Sequence, residues 1–406
     1  MDGNISPQEP AGRLIGFLNF GHALDHFVML IYPAVVLALS GAFGRSYGDL
    51  LPYALGGFAT FGAFSMPFGW IGKWVHGHTL IAVYFFGIGI SCILAGFAQT
   101  PWQIAIALTL AGVFAAIYHP IGNSMLSAVD PARLGRIMGR NGLWGNMGVA
   151  SAALASGVLT DLISWRAAFI VPGLAALAAG IGFIALVADP GPLRTSPRER
   201  HIGAIPRAEM IRVFTVLMLS TLAGGLIFSA TTIAMPKLFE ERLTALTSTV
   251  SGIGLFVFAV YSLAALAQVT IGTLADRMPL GRIFLPLAVL QVPLLLLTGL
   301  LGGTGTLFAA LPMMFVVFGL VPVNEVMTAR YTAPEYRTRV YAIRYSLAFA
   351  ATAAAIPLVS VLHKAYGGFT QVFAMLAGVS LILVAAALAF ALMGRNTAAA
   401  GHTAPV

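Results

Sequence analysis

The chain has 406 residues, 59% of them hydrophobic and 9% charged, where a soluble domain carries about 25% charged residues. That excludes an ordinary soluble globule and points to a membrane protein. The lone cysteine, Cys92, excludes a disulfide framework and a thiolate metal cluster, while the +8 net charge rests on so few side chains that their positions must decide its meaning.

Apolar segments follow one another at 14–41, 48–71, 79–98, 101–128, 140–162, 167–187, 211–235, 249–273, 281–302, 305–328, 340–363 and 368–392. Each reaches or approaches the roughly 20 residues a helix needs to cross the hydrocarbon core, and none alternates with the period of a barrel strand. An all-α membrane protein with twelve transmembrane helices is predicted. Its amino terminus, MDGNISPQEP, carries Asp2 and Glu9 in place of a basic leader, and the apolar run that follows is too long for a signal peptide, so the first helix is expected to be retained. The longest polar interruption, residues 188–212, reads as a cytoplasmic linker. The expected division is a six-helix bundle over 1–187, a linker over 188–210, and a second six-helix bundle with a short tail over 211–406.

Several residues recur at an offset of 203: Pro33 with Pro236, Gly69 with Gly272, Arg136 with Arg339, and Val158–Leu159 with Val361–Leu362. Two repeats of six helices share one orientation, because six crossings return the chain to its starting side. With the amino terminus in the cytoplasm, all Lys and Arg except Arg45, Arg166, Lys237, Arg242 and Lys364 fall on the cytoplasmic side. The positive-inside rule therefore predicts that both termini are cytoplasmic, in a bacterial inner membrane. Topology accounts for the basic surplus and leaves nothing for a nucleic-acid partner.

The stretch GTLADRMPLGR, expected as the loop after the eighth helix, resembles the G-x-L-A-D-R signature of the major facilitator superfamily, with Gly272, Asp276 and Arg277 in the matching places. At the corresponding place in the first half Lys73 and Trp74 replace the acid and the arginine, and SWRAAF at Ser164–Phe169 is similar to the Trp-Arg pair common before the sixth helix of that superfamily. The resemblance covers essentially the whole chain. It implies a secondary transporter in which the two halves rock around a midplane site, and a gating role for Gly272, Asp276 and Arg277. HxxDH in the first helix, Tyr32-Pro33 after it, and YHP at Tyr118–Pro120 in the fourth resemble the fosmidomycin-resistance branch of drug exporters, although Ile121 stands where that branch often has an acid. GNMGVASAALASG in the fifth helix has small-residue spacing suited to close helix packing, without the Gly-Pro pair associated with antiporters.

By this segmentation Asp25 and Glu325 are the two acids placed within transmembrane helices. A charge at the bilayer centre costs about 2.5–3.5 kcal/mol on insertion scales, so each is a functional candidate. The resemblance implies that the first, fourth, seventh and tenth helices line the cavity, which brings together Asp25, His119 and Glu325. Spacing adds that His22, Asp25 and His26 stand at i, i+3 and i+4 on one helix face, and that His119 and Asn123 are one turn apart. A carboxylate beside imidazoles in a low-dielectric cavity can exchange a proton near physiological pH. Proton coupling is therefore expected at Asp25 with His22, His26 and Glu325, and substrate contact at Tyr32, Tyr118, His119, Asn123, Asn324 and Arg344, with Arg344 or Arg330 as the partner of Glu325.

No G-x-x-x-x-G-K-[ST] loop and no nucleophile-and-base pattern is present, so a gradient rather than ATP is expected to drive transport, without enzymatic activity or a cofactor. The expected function is proton-coupled efflux of a drug-like or small organic compound by a monomer whose partners are substrate, protons and lipid. Two alternatives use the same residues. One is uptake of a small organic anion; the other is transport of a divalent transition metal ligated by His22, Asp25, His26 and His119.

Overall fold

The computed structural model describes residues 8–72, 74–129, 134–189, 207–332 and 334–400, and the described residues are helical without a strand. The first half contains α1 (Gln8–Phe43), α2 (Tyr47–Leu50), a 3-10 turn (Leu51–Ala54), α3 (Leu55–Ile71), α4 (Gly77–Phe97), α5 (Pro101–Ala115), α6 (Tyr118–Val129), α7 (Leu134–Leu162) and α8 (Ala167–Leu186). The second contains α9 (Arg207–Arg242), α10 (Val250–Arg277), α11 (Leu280–Leu300), α12 (Thr304–Tyr331), α13 (Pro334–Tyr366) and α14 (Thr370–Ala400).

Ten helical stretches among the described residues are long and apolar enough to cross a membrane. The remaining two of the twelve expected segments are helical as well, for local reasons that set them apart. Segment 48–71 is divided: the Ser46 side chain caps α2 by accepting from the Asp49 N–H, Pro52 follows within a 3-10 turn, and α3 keeps 17 residues. Segment 140–162 lies in α7, whose Asn141, Asn146 and repeated glycines lower its apolar character.

Several boundaries differ from expectation. The fourth segment splits into α5 and α6, because Pro120 has no N–H for the Ala116 carbonyl and the chain turns at Ala116–Ile117. The GTLADR stretch is no loop: α10 continues to Arg277, the Met278 N–H bonds the Leu274 carbonyl at 2.9 Å, and α11 begins at Leu280, so Gly272, Asp276 and Arg277 are helical. No breaker precedes Pro279, and Arg277 at the helix end complements its dipole. The linker expected to reach 210 gives way to α9 at Arg207, and most of it, 190–206, lies outside the described residues, as does Lys73. Helix α14 runs to Ala400, beyond the expected 392.

The chain divides into two compact units, Met1–Pro197 with Thr247–Phe258, and Arg198–Leu246 with Ala259–Val406. In the first, α1 packs along α7, α4 along α8, and α5 against α3 and α4. Close approach is possible because glycines stand at the crossings. A Cβ on Gly148 would collide with the Ala23 carbonyl, and one on Gly112 with the Gly57 carbonyl. Helix α5 starts in a capping box, Thr100 accepting from the Gln103 N–H and the Gln103 side chain accepting from the Thr100 N–H. Arg166 stacks over Trp165 with its guanidinium carbon 4.2 Å from the ring centroid, and donates to the Ala98 carbonyl at 3.1 Å, satisfying the carboxyl end of α4. In the second unit α11 packs on α12 and α14, and α9 on α12, α13 and α14. Large apolar side chains such as Ile90, Leu94, Leu266 and Val269 are exposed, as lipid-facing residues are, since hydrocarbon solvates them as well as a core does.

Candidate functional site

The polar centre of the first unit grows from one face of α1. Asn19, His22, Asp25 and His26 follow at helical spacing, and Asn19, His22 and Asp25 are buried. The turn before Pro120 then brings the start of α6 against this face. Tyr118 stacks on His22 with centroids 5.1 Å apart, and its ring lies 3.1 Å from where a Cβ on Gly21 would sit, a close fit of ring against helix. His119 stands 5.3 Å from His22 and 5.4 Å from His26 between ring centroids, and His22 and His26 are 5.0 Å apart.

The groups are held by bonds that fix their chemistry. His22 Nδ1 lies 2.8 Å from the Asn141 backbone carbonyl on α7; a carbonyl only accepts, so Nδ1 carries the proton and Nε2 is left for the interior. The Asn141 side chain donates to Asn19 Oδ1 at 3.1 Å and to the Tyr118 hydroxyl at 2.9 Å. Tyr118 in turn donates to the Leu18 carbonyl at 2.7 Å, and Tyr84 to the Gly21 carbonyl at 2.6 Å. Gly145, one turn after Asn141, leaves room for the imidazole, whose Cε1 would be 2.7 Å from an added Cβ.

Asp25 is 0% exposed, and neither of its carboxylate oxygens accepts a hydrogen bond from a described residue. Its partner is His119, with Nε2 at 3.4 Å from Oδ2, near enough for an ion pair but without hydrogen-bond alignment. Asn123, one turn beyond His119, keeps a buried amide oxygen without a hydrogen-bond partner among the described residues. Nitrogens of His22, His26 and His119 lie within 4.8 Å of one another, a set that does not include Asp25. Chemically the arrangement offers a buried carboxyl that can take or release a proton beside three imidazoles, and a set of nitrogen donors.

Tyr32, expected at the substrate, lies outside the histidine cluster's bonds: its buried hydroxyl donates to the Leu50 carbonyl at 2.6 Å and ties α1 to the end of α2. In the second unit Arg344 is buried and donates to Glu325 at 2.6 Å and to Thr328 at 3.0 Å, so it is Arg344 that meets Glu325, and Arg330 is exposed. Glu325 remains 39% exposed at its side chain, while Asn324 is buried and accepts from Ser220 at 2.8 Å. A Cβ on Gly272 would meet nothing within 4 Å, Arg277 is exposed, and the side chain of Asp276 lies outside the described residues.

Asn19 and Asn141 are the residues that sequence reasoning missed. Asn19 carried a signal, one turn before His22 on the same face. Asn141 carried only its polarity within an apolar segment.

Comparisons with known proteins give the architecture its place. Residues 15–321 match the sequence profile of the Major Facilitator Superfamily. A bacterial homolog of the human lysosomal transporter Spinster, in an inward-facing and unoccupied conformation, superposes with a TM-score of 0.77 at 13% identity over 96% of this chain and 98% of its own. A point mutant of the nucleoside transporter NupG gives 0.73 at 11% identity over 93% of this chain and 99% of its own. The puromycin resistance protein of Streptomyces alboniger is 30% identical over 133 residues, which is 32% of this chain, and the match spans 24% of that protein's length. The chain belongs to the Major Facilitator Superfamily, and is a multi-pass membrane protein with that superfamily's fold.

Proposed function

We propose that this protein exports a drug-like or small organic compound across a bacterial inner membrane in exchange for protons, with both termini in the cytoplasm and its two six-helix halves, 1–187 and 211–406, alternating access. Asp25 carries the proton, His22 and His26 tune it, and Tyr118, His119 and Asn123 contact substrate or relay the proton. Glu325, Asn324 and Arg344 form a second polar station. Gly272, Asp276 and Arg277, at the end of α10, act in gating.

One observation carries the proton assignment. A fully buried carboxylate that no described residue hydrogen-bonds is tolerated only if a proton neutralises it, on its own oxygen or on the imidazole beside it. Either arrangement changes charge when the site meets water on one side of the membrane and then on the other. Efflux of a drug-like compound draws support from the puromycin resistance relative and from the aromatic surroundings of the cluster, Phe61, Tyr84 and Tyr118.

Accumulation in inverted membrane vesicles tests this. With an acidic lumen, vesicles carrying the protein should concentrate puromycin or another lipophilic cation above vesicles without it, and a protonophore should abolish the difference. Accumulation that survives collapse of the proton gradient would overturn the coupling, and accumulation only in right-side-out vesicles would reverse the direction.

A further inference from the structure

We propose that His22, His26 and His119 form a binding site for one divalent transition-metal ion, of the kind that imidazole ligands prefer, Zn²⁺, Ni²⁺ or Co²⁺. The three side chains already offer nitrogens within 4.8 Å of one another. Around a tetrahedral ion with metal–nitrogen bonds of about 2.0–2.1 Å, such nitrogens sit roughly 3.3 Å apart. Closing the gap asks each ring to advance by less than about 1 Å toward the centre, within reach of small rotations about its side-chain bonds.

Three features separate this cluster from a chance meeting of histidines. His22 and His26 are one turn apart on α1 and His119 comes from α6, so the donors approach from two helices rather than along one. The Nδ1–H of His22 is fixed on the Asn141 carbonyl, which orients the ring and holds the lone pair of Nε2 for an ion, the outer bond that metal-bound histidines usually make. Asp25, buried with an oxygen 3.4 Å from the His119 ring, places a carboxyl group beside a ligand, the kind of outer group that orients metal-bound histidines. Three nitrogens leave a fourth position for water or a substrate atom, as in open zinc sites. The borderline softness of imidazole nitrogen favours these ions over Mg²⁺ or Ca²⁺, which select oxygen.

The inference does not depend on proton-driven efflux. Asp25→Asn keeps all three nitrogens, so it should retain the ion with at most about tenfold weakening, the lower range for an outer-shell change, even where it loses proton-driven flux.

Full-length protein, purified in detergent and stripped with a chelator, would be dialysed against Zn²⁺ at neutral pH. One ion per chain is expected. His22→Gln, His26→Gln and His119→Gln should each weaken binding by about tenfold or more, while His76→Gln, outside the cluster, should match the parent. Thermal unfolding without metal would identify any variant that fails to fold. X-ray absorption of the Zn²⁺-loaded parent gives an answer that needs no variant: three imidazoles in the first shell are expected. Retention of no ion, fewer than three imidazoles, or unchanged affinity in the folded single variants would overturn the site.

Discussion

At the residue scale, the chemistry rests on how few partners Asp25 has and how many surround its neighbours. The sequence revealed the three polar residues of α1, since spacing of three and four puts them on one face without knowledge of the fold. His119 entered only through resemblance, because nothing local says which helix packs against α1. Asn141 was out of reach: His22 meets it across 119 residues and Asn19 across 122, and such contacts leave no periodic trace. The Tyr32 bond to the Leu50 carbonyl was equally out of reach, since a tyrosine beside a polar face reads the same whatever its hydroxyl meets. Asn141 donates to two buried groups, so Asn141→Ala leaves Tyr118 and Asn19 short of a donor, at a cost of about 1–3 kcal/mol. A lowered midpoint of thermal unfolding in detergent checks this, and a midpoint equal to the parent's would refute the bonding described.

At the element scale, the breaks mattered more than the spans. Apolar runs locate helices well, since length and hydropathy are set by the bilayer itself. They miss the interruption at Ala116–Ile117, although Pro120 announces it, because the run on both sides stays apolar. That turn is what carries Tyr118 and His119 to α1. Close helix packing was readable in GNMGVASAALASG, though not its partner; that partner is α1, and a Cβ on Gly148 would strike the Ala23 carbonyl. Gly148→Ala should force the two helices apart and destabilise by about 1–3 kcal/mol. Gly139→Ala, in the same helix with nothing within 4 Å of the added carbon, should be neutral or stabilising by up to about 1 kcal/mol. Paired unfolding measurements distinguish close packing from helix propensity; equal effects at both positions would dismiss the packing argument.

At the scale of the whole molecule, twelve segments and a polar interruption are legible in composition and charge, while the assignment of each residue to a unit needs coordinates. The first turns of α10 belong with the first unit, where the Ser251 N–H bonds Asp161 at 2.7 Å, a contact no hydropathy profile contains. Such a fold houses many substrates, so function has to be argued from the site. Coupling of protons to substrate movement through Asp25 predicts a separation of two activities. In proteoliposomes loaded with the exported compound, the Asp25→Asn protein should still exchange internal for external substrate, because the binding groups remain, yet lose accumulation driven by a proton gradient. Accumulation at the parent's level in Asp25→Asn would contradict the account.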